Sequence, residues 1–164
     1  MGRAWVVLLG CAAVYAAGVV WSAARLPEQG VAMHVNAHGV VNAYGSRADA
    51  IGLFVGLGAF LLVLGVLVLG SVSRIPPRLI NVPHRDYWAE PSRLPTLRRM
   101  LAWDIAVLFG LPLLALSVLP VDLTLTTLDP AGHGQAAFLV AIGALVVGIA
   151  GYTVWMATVR YRPS

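Results

Sequence analysis

The sequence predicts an all-α integral membrane protein with four transmembrane helices, and three observations carry that prediction. The first is composition: the 164 residues are 59% hydrophobic and 11% charged, whereas a soluble domain carries roughly 25% charged residues. The second is a set of four apolar runs, at 4–24, 48–70, 98–119 and 134–159. At a rise of about 1.5 Å per residue, each can cross a hydrocarbon core about 30 Å thick. The third is the placement of charge. Arg74, Arg78, Arg85, Arg93, Arg98 and Arg99 face only Asp86 and Glu90 in the stretch 71–100, so this stretch holds the +4 formal charge of the whole chain.

Loops retained in the cytoplasm carry the Lys/Arg excess. The loop 71–97 is therefore expected inside, and the loops 25–47 and 120–133 outside. With Arg3, Arg160 and Arg162 the inner side holds nine arginines, against Arg25 and Arg47 outside, so both termini are expected in the cytoplasm. The reading is one multi-pass domain, 1–164, in the plasma membrane. A pI near 9.8 in a soluble chain would point to nucleic acid. Here the basic residues flank membrane spans, so the expected partner is a bilayer with anionic headgroups, with no direct nucleic-acid contact.

Along the chain, Met1-Gly2-Arg3 opens a run longer than the 7–15 residues of a signal core, which reads as a retained helix. Ala12, Ala13, Ala16, Ala17 and Gly18 give it a small face for close helix contact. Its Cys11 is the only cysteine, so no intrachain disulfide is expected. Pro27 stops the helix. Val31, Met33 and Val35 then alternate with Ala32, His34 and Asn36, the period of a strand. Asn36-Ala37-His38-Gly39 has turn composition, and Val40 to Tyr44 returns, giving a small β-hairpin outside.

Ser46 and Asp49 have capping-box spacing at the start of the second helix. Gly52 and Gly56 form a GxxxG pair, expected to pack within the bundle, with a homodimer contact as the other reading. Pro112 is expected to kink the third helix. Asp129-Pro130 reads as the start of the fourth, where Ala137, Ala141, Ala144 and Gly148 supply small contact positions.

Candidate chemistry lies on both faces. Outside, His34, His38 and His133 accompany Glu28, Asp122 and Asp129. Zinc accepts such ligands, but His34 and His38 in one strand would stand about 13 Å apart at 3.3 Å per residue. The expectation is therefore no metal site and no cofactor, with these three histidines as the candidates if a turn brings them together. Inside the membrane, Asp104 is an acid expected near the cytoplasmic end of its helix, reaching water or Arg99, with a proton relay as the alternative. In the inner loop, Asn81, Pro83, Arg85, Tyr87 and Trp88 are expected to anchor at headgroup level or to dock a lipid headgroup or cytosolic protein. Walker, Rossmann, HExxH and nucleophile-elbow patterns are absent from the sequence, so no catalytic mechanism is expected.

Two stretches carry a family resemblance. Leu26-Pro27, His34-Val35-Asn36, Gly39 and Tyr44-Gly45-Ser46 resemble the outer loop of SdpI-like bacterial membrane proteins, a domain of unknown function. Asn81-Val82-Pro83 with Tyr87-Trp88 resembles the Asn-x-Pro-x-x-x-Tyr-Trp loop of their short members. The resemblance spans roughly the first hundred residues, and the last two helices match only in hydropathy. It implies a multi-helix cell-membrane protein and, from the best-known relative, immunity to a secreted toxic peptide coupled to signalling through a repressor held at the membrane. It also implies His34, Asn36, Gly39, Tyr44 and Gly45 as the outer ligand-binding positions, and Asn81, Pro83, Tyr87 and Trp88 as the inner ones. His38 lies outside that pattern, and this chain is shorter than the immunity protein.

The expected function is then non-catalytic: binding of an extracytoplasmic peptide or small ligand, reported through the arginine-rich loop to a cytosolic partner. A small transporter or accessory transport subunit would need a polar path, for which the helices offer Asp104, Ser117, Thr153 and a few tyrosines. A metal-dependent membrane enzyme would need the three histidines to meet.

Overall fold

A computed structural model of the chain describes residues 2–36, 40–130 and 136–163. Four helices are long and apolar enough to cross a membrane, at 2–23, 47–71, 94–128 and 136–160. Helix α1 (Gly2–Ala23) ends in a turn where the Arg25 and Leu26 amides donate to the Ser22 carbonyl. Strands β1 (Gln29–Val35) and β2 (Val41–Ser46) form the expected antiparallel hairpin. Register shifts in β1 break its alternation, so the consecutive residues Val31 and Ala32 are both buried. The Asn36 amide donates to the Val40 carbonyl and the Asn36 carboxamide oxygen accepts from the Val40 amide, which closes the loop between the strands. The intervening residues 37–39 lie outside the described ones.

Helix α2 (Arg47–Ser71) starts on the capping box read from the sequence. Ser46 Oγ accepts from the Asp49 amide at 3.1 Å, and Asp49 Oδ2 accepts from the Ser46 amide at 3.0 Å. Two otherwise orphaned donors are satisfied in this way.

The arginine-rich segment between α2 and α4 (Leu94–Leu116) folds onto the end of the bundle. It contains a short 3-10 turn (Pro77–Leu79) and a single helical turn, α3 (Arg85–Trp88), entered through His84 at a left-handed φ of 55°. Ile80, Trp88, Leu97 and Tyr161 form a small core there, separate from the main core of α1, α2 and α4. Burying these apolar side chains ties down a proline-broken stretch that has only these two short turns of regular structure.

Helix α4 (Leu94–Leu116) contains Pro112 within its helical span. The break comes at Ser117, after which α5 (Val118–Leu128) continues. Pro120 explains the position: it has no amide to give the Leu116 carbonyl, and its ring crowds that carbonyl. Ser22 and Thr124 hydroxyls both donate to the Pro120 carbonyl at 2.7 Å, which fixes α5 against α1. The expected loop 120–133 is thus helical as far as Leu128. Asp129 caps the C-terminal end of α5, and residues 131–135, where the start of the next helix would be read, lie outside the described ones.

Helix α6 (Ala136–Trp155) is followed by a wider π turn (Met156–Arg160). Helix α4 is central, touching α1, α2 and α6, while α6 packs on α4 and α5 and buries no residue fully. Ala137, Ala144 and Gly148 are exposed, so the small stripe expected to make contacts is largely turned away. Gly52 and Gly56 likewise meet nothing within 4 Å, whereas Gly58 abuts Tyr15 and Gly65 abuts Phe109 and Leu8. The close-packing glycines of α2 are therefore seven residues apart, two turns along one face, not four.

Candidate functional site

At the hairpin end, β1, α5 and the start of α6 enclose a cavity of about 310 Å³. Its walls are Ala32, Met33, His34, Val35, Leu119, Asp122, Leu123, Thr126 and Phe138. The strand is held to α5 by the Ala32 amide donating to Thr127 Oγ1 at 3.0 Å. His34 is exposed, with Nδ1 2.5 Å from Asn42 Oδ1 across the hairpin. A mostly apolar cavity with a few convergent polar groups has the usual make-up of a small-ligand site.

The structure divides the outer residues singled out from the sequence. His34 reaches the cavity, and Asn36 closes the hairpin. Gly45 faces Met33, whose Cγ would lie 2.8 Å from a Cβ placed at Gly45, so glycine permits the cross-strand packing. Tyr44 is 65% exposed on β2 and does not line the cavity. Gly39, His38 and His133 lie outside the described residues, and with them the convergence of three histidines. Among the described residues, no three His, Cys, Asp or Glu side chains are grouped to hold a metal ion.

The second site is built around Asp104, about 15 Å along α4 from its start at 1.5 Å per residue. It is 1% exposed, and it receives three donors from the end of α6. Tyr152 Oη donates to Oδ1 at 2.7 Å, Tyr161 Oη donates to Oδ2 at 2.5 Å, and Arg160 Nε lies 2.7 Å from Oδ1 and 3.0 Å from Oδ2. Arg160 Nη2 also donates to the Met100 carbonyl at 3.5 Å. The expected partner Arg99 instead bonds Thr96. An ion taken out of water this completely persists only when paired and hydrogen-bonded.

The π turn has a geometric role in this cluster. In a regular helix at about 100° per residue, Arg160 would sit about 80° around the axis from Tyr152. A wider turn takes back part of that rotation and brings both onto one carboxylate.

The arginine-rich segment joins the same cluster. Trp88 Nε1 donates to the Tyr161 carbonyl at 2.9 Å, and the two rings meet edge to face at 6.5 Å. Trp88 is 8% exposed, so it is a core residue of the loop and not the headgroup anchor expected from the sequence. Tyr87 lies under the Arg93 guanidinium at 3.9 Å, and Arg93 pairs with Glu90. Asn81 and Arg85 are exposed and Pro83 is half-buried. Burial first, and the hydrogen bond to Asp104 second, push the Tyr161 phenol well above its ordinary value, so it remains a donor at neutral pH.

Sequence reasoning missed Tyr152, Arg160 and Tyr161 as partners of Asp104. The usable signal was periodicity: Phe138, Ile142, Leu145, Ile149, Tyr152, Met156 and Arg160 recur at three or four residues and make up the half-buried face of α6. An acid alone in one apolar helix and a Tyr/Arg pair on the inward face of another are complementary in lipid, where polar groups find each other. Compared with protein-family models, curated proteins and solved structures, the chain has no match.

Proposed function

We propose that the chain is a non-catalytic plasma-membrane receptor whose hairpin-end cavity binds an extracytoplasmic peptide or small amphipathic ligand. The single observation that supports this most is the cavity itself, where His34, Asp122 and Thr126 stand among Met33, Leu119, Leu123 and Phe138. The orientation belongs to the same proposal: termini and arginine-rich segment in the cytoplasm, as the nine-to-two distribution of arginine favours. So does the SdpI-like resemblance, under which the ligand would be a secreted peptide and the response immunity with signalling to a cytosolic partner.

The two ends are joined by helices. Helix α6 has Phe138 at the cavity and Tyr152 and Arg160 on Asp104, and α5 meets α4 at the Ser117 break. A ligand seated between β1 and α5 shifts the population of packings at the other end only by its differential affinity for them. The occupied oxygens of Asp104 favour a clamp over an open proton relay, so transport is the weaker reading.

Detergent-purified protein is tested by thermal unfolding against the low-molecular-weight peptide fraction of bacterial culture medium. A ligand at a hundred times its Kd stabilises by about 2.7 kcal/mol, and Leu123→Trp, which fills the cavity, is expected to abolish the shift. No shift for the parent, or an equal one for Leu123→Trp, would refute the binding site. Orientation is read separately: alkaline phosphatase fused after Val40 is expected to be active and after Arg78 inactive. The reverse pattern would put the cavity in the cytoplasm.

A further inference from the structure

At the arginine-rich end, the first turn of α1 and the second turn of α4 border a groove of about 520 Å³ lined by Gly2, Arg3, Ala4, Arg99 and Trp103. We propose that this groove binds the headgroup phosphate of an anionic phospholipid.

Four features of the groove converge on that ligand. Arg3 and Arg99 are exposed and come from different helices into one space that no carboxylate lines. Among the described residues neither guanidinium is ion-paired, and Arg99 bonds only the Thr96 hydroxyl, at 3.3 Å. Like charges sharing a groove repel, and a phosphate between them removes the repulsion and offers the paired oxygens that a guanidinium matches. Gly2, Arg3 and Ala4 in the first turn of α1 line the same space, and the amides of a first turn point out of the helix end. They have no helical acceptor and carry the positive end of the helix dipole, and a Cβ built at Gly2 meets nothing within 4 Å, so an oxygen can approach the backbone.

The apolar side of the groove selects a lipid over a free anion. Trp103, one turn beyond Arg99, is 37% exposed, and Val6, one turn beyond Arg3, is 72% exposed. Trp103 stands about 14 Å along α4 at 1.5 Å per residue, so its indole offers an acyl chain apolar surface beyond the charges. The groove thus runs from two positive charges into lipid-facing apolar surface, the order of parts in a phospholipid. This site is independent of the hairpin-end cavity and of the ligand bound there.

The test is retention of phosphatidylglycerol by the detergent-purified full chain, read by native mass spectrometry, with phosphatidylcholine and inorganic phosphate as comparisons. The parent is expected to retain one phosphatidylglycerol in preference to phosphatidylcholine. At about 1 kcal/mol for each arginine at an anionic surface, Arg3→Gln with Arg99→Gln weakens retention on the order of thirtyfold. The control pair Arg78→Gln with Arg85→Gln, equal in charge but outside the groove, leaves it unchanged. Arg3→Gln alone, an exposed change at the start of a helix, gives the test if the double variant does not fold, with retention falling roughly fivefold. The proposal is overturned if the control pair lowers retention as much as the groove pair, if no groove variant lowers it, or if inorganic phosphate competes as well as the lipid.

Discussion

Arg160→Ala is expected to destabilise the folded bundle by about 3–5 kcal/mol, the cost of leaving one member of a buried ion pair uncompensated. The partner left behind is Asp104, whose side chain is 2% exposed against 18% for Arg160. Tyr152→Phe removes only a neutral donor. Hydrogen bonds between membrane helices average about 0.6 kcal/mol, so its cost should be several times smaller. Replacing both charges by apolar groups of similar size, Asp104→Leu with Arg160→Met, should restore much of the loss, because no unpaired charge remains.

The ordering of these three variants, measured by unfolding in detergent, is the informative result. A loss below about 1 kcal/mol for Arg160→Ala, comparable to an exposed pair, would mean that the ion pair does not hold α6. The effect should also be local: α6 buries no residue fully, and Trp88 is tied to Tyr161. Trypsin is therefore expected to cut faster at Arg85 and Arg93 in Arg160→Ala than in the parent.

Gly58→Val is the second large effect, expected to cost about 1–3 kcal/mol by overpacking. A Cβ at Gly58 would clash with the edge of the Tyr15 ring, with Tyr15 Cδ1 at 2.8 Å. Tyr15 is 4% exposed and donates to the Phe54 carbonyl at 2.8 Å. That carbonyl belongs to the residue four before Gly58, so the missing side chain is what admits the phenol to the α2 backbone. The β-branched valine gains little helix propensity to offset the clash. In a Tyr15→Ala background, the added cost of Gly58→Val should shrink toward zero, because the space it needs is then empty. Equal costs in the two backgrounds would show that the penalty arises elsewhere than at the α1–α2 contact, since only coupled sites depart from additivity.

Much of this architecture was legible along the chain because its causes are local. Runs of apolar residues give helices long enough for a membrane irrespective of partners, and the Ser46/Asp49 cap and the hairpin follow from side chains bonding their own neighbourhood. What was not legible shares one cause. Pro112 and Pro120 look alike in sequence, yet α4 continues through the first and breaks just before the second. Gly52 and Gly56 fit a motif, while Gly58 and Gly65 meet the neighbouring helix. Which face of a nearly all-apolar helix turns inward is poorly encoded, because both faces are equally oily.

Hydrophobicity by itself therefore determined how many membrane-length helices this protein has and roughly where they run, since transfer out of water depends on composition and length. Tertiary structure decided which polar atoms meet. Asp104 found Arg160 and two tyrosines more than forty positions away, His34 and Asp122 came to line one cavity, and Trp88 went into a core. Apolar burial is non-directional and tolerates many packings, whereas a desolvated charge or an indole N–H is satisfied only at hydrogen-bond distance. Those few contacts select one arrangement of the helices.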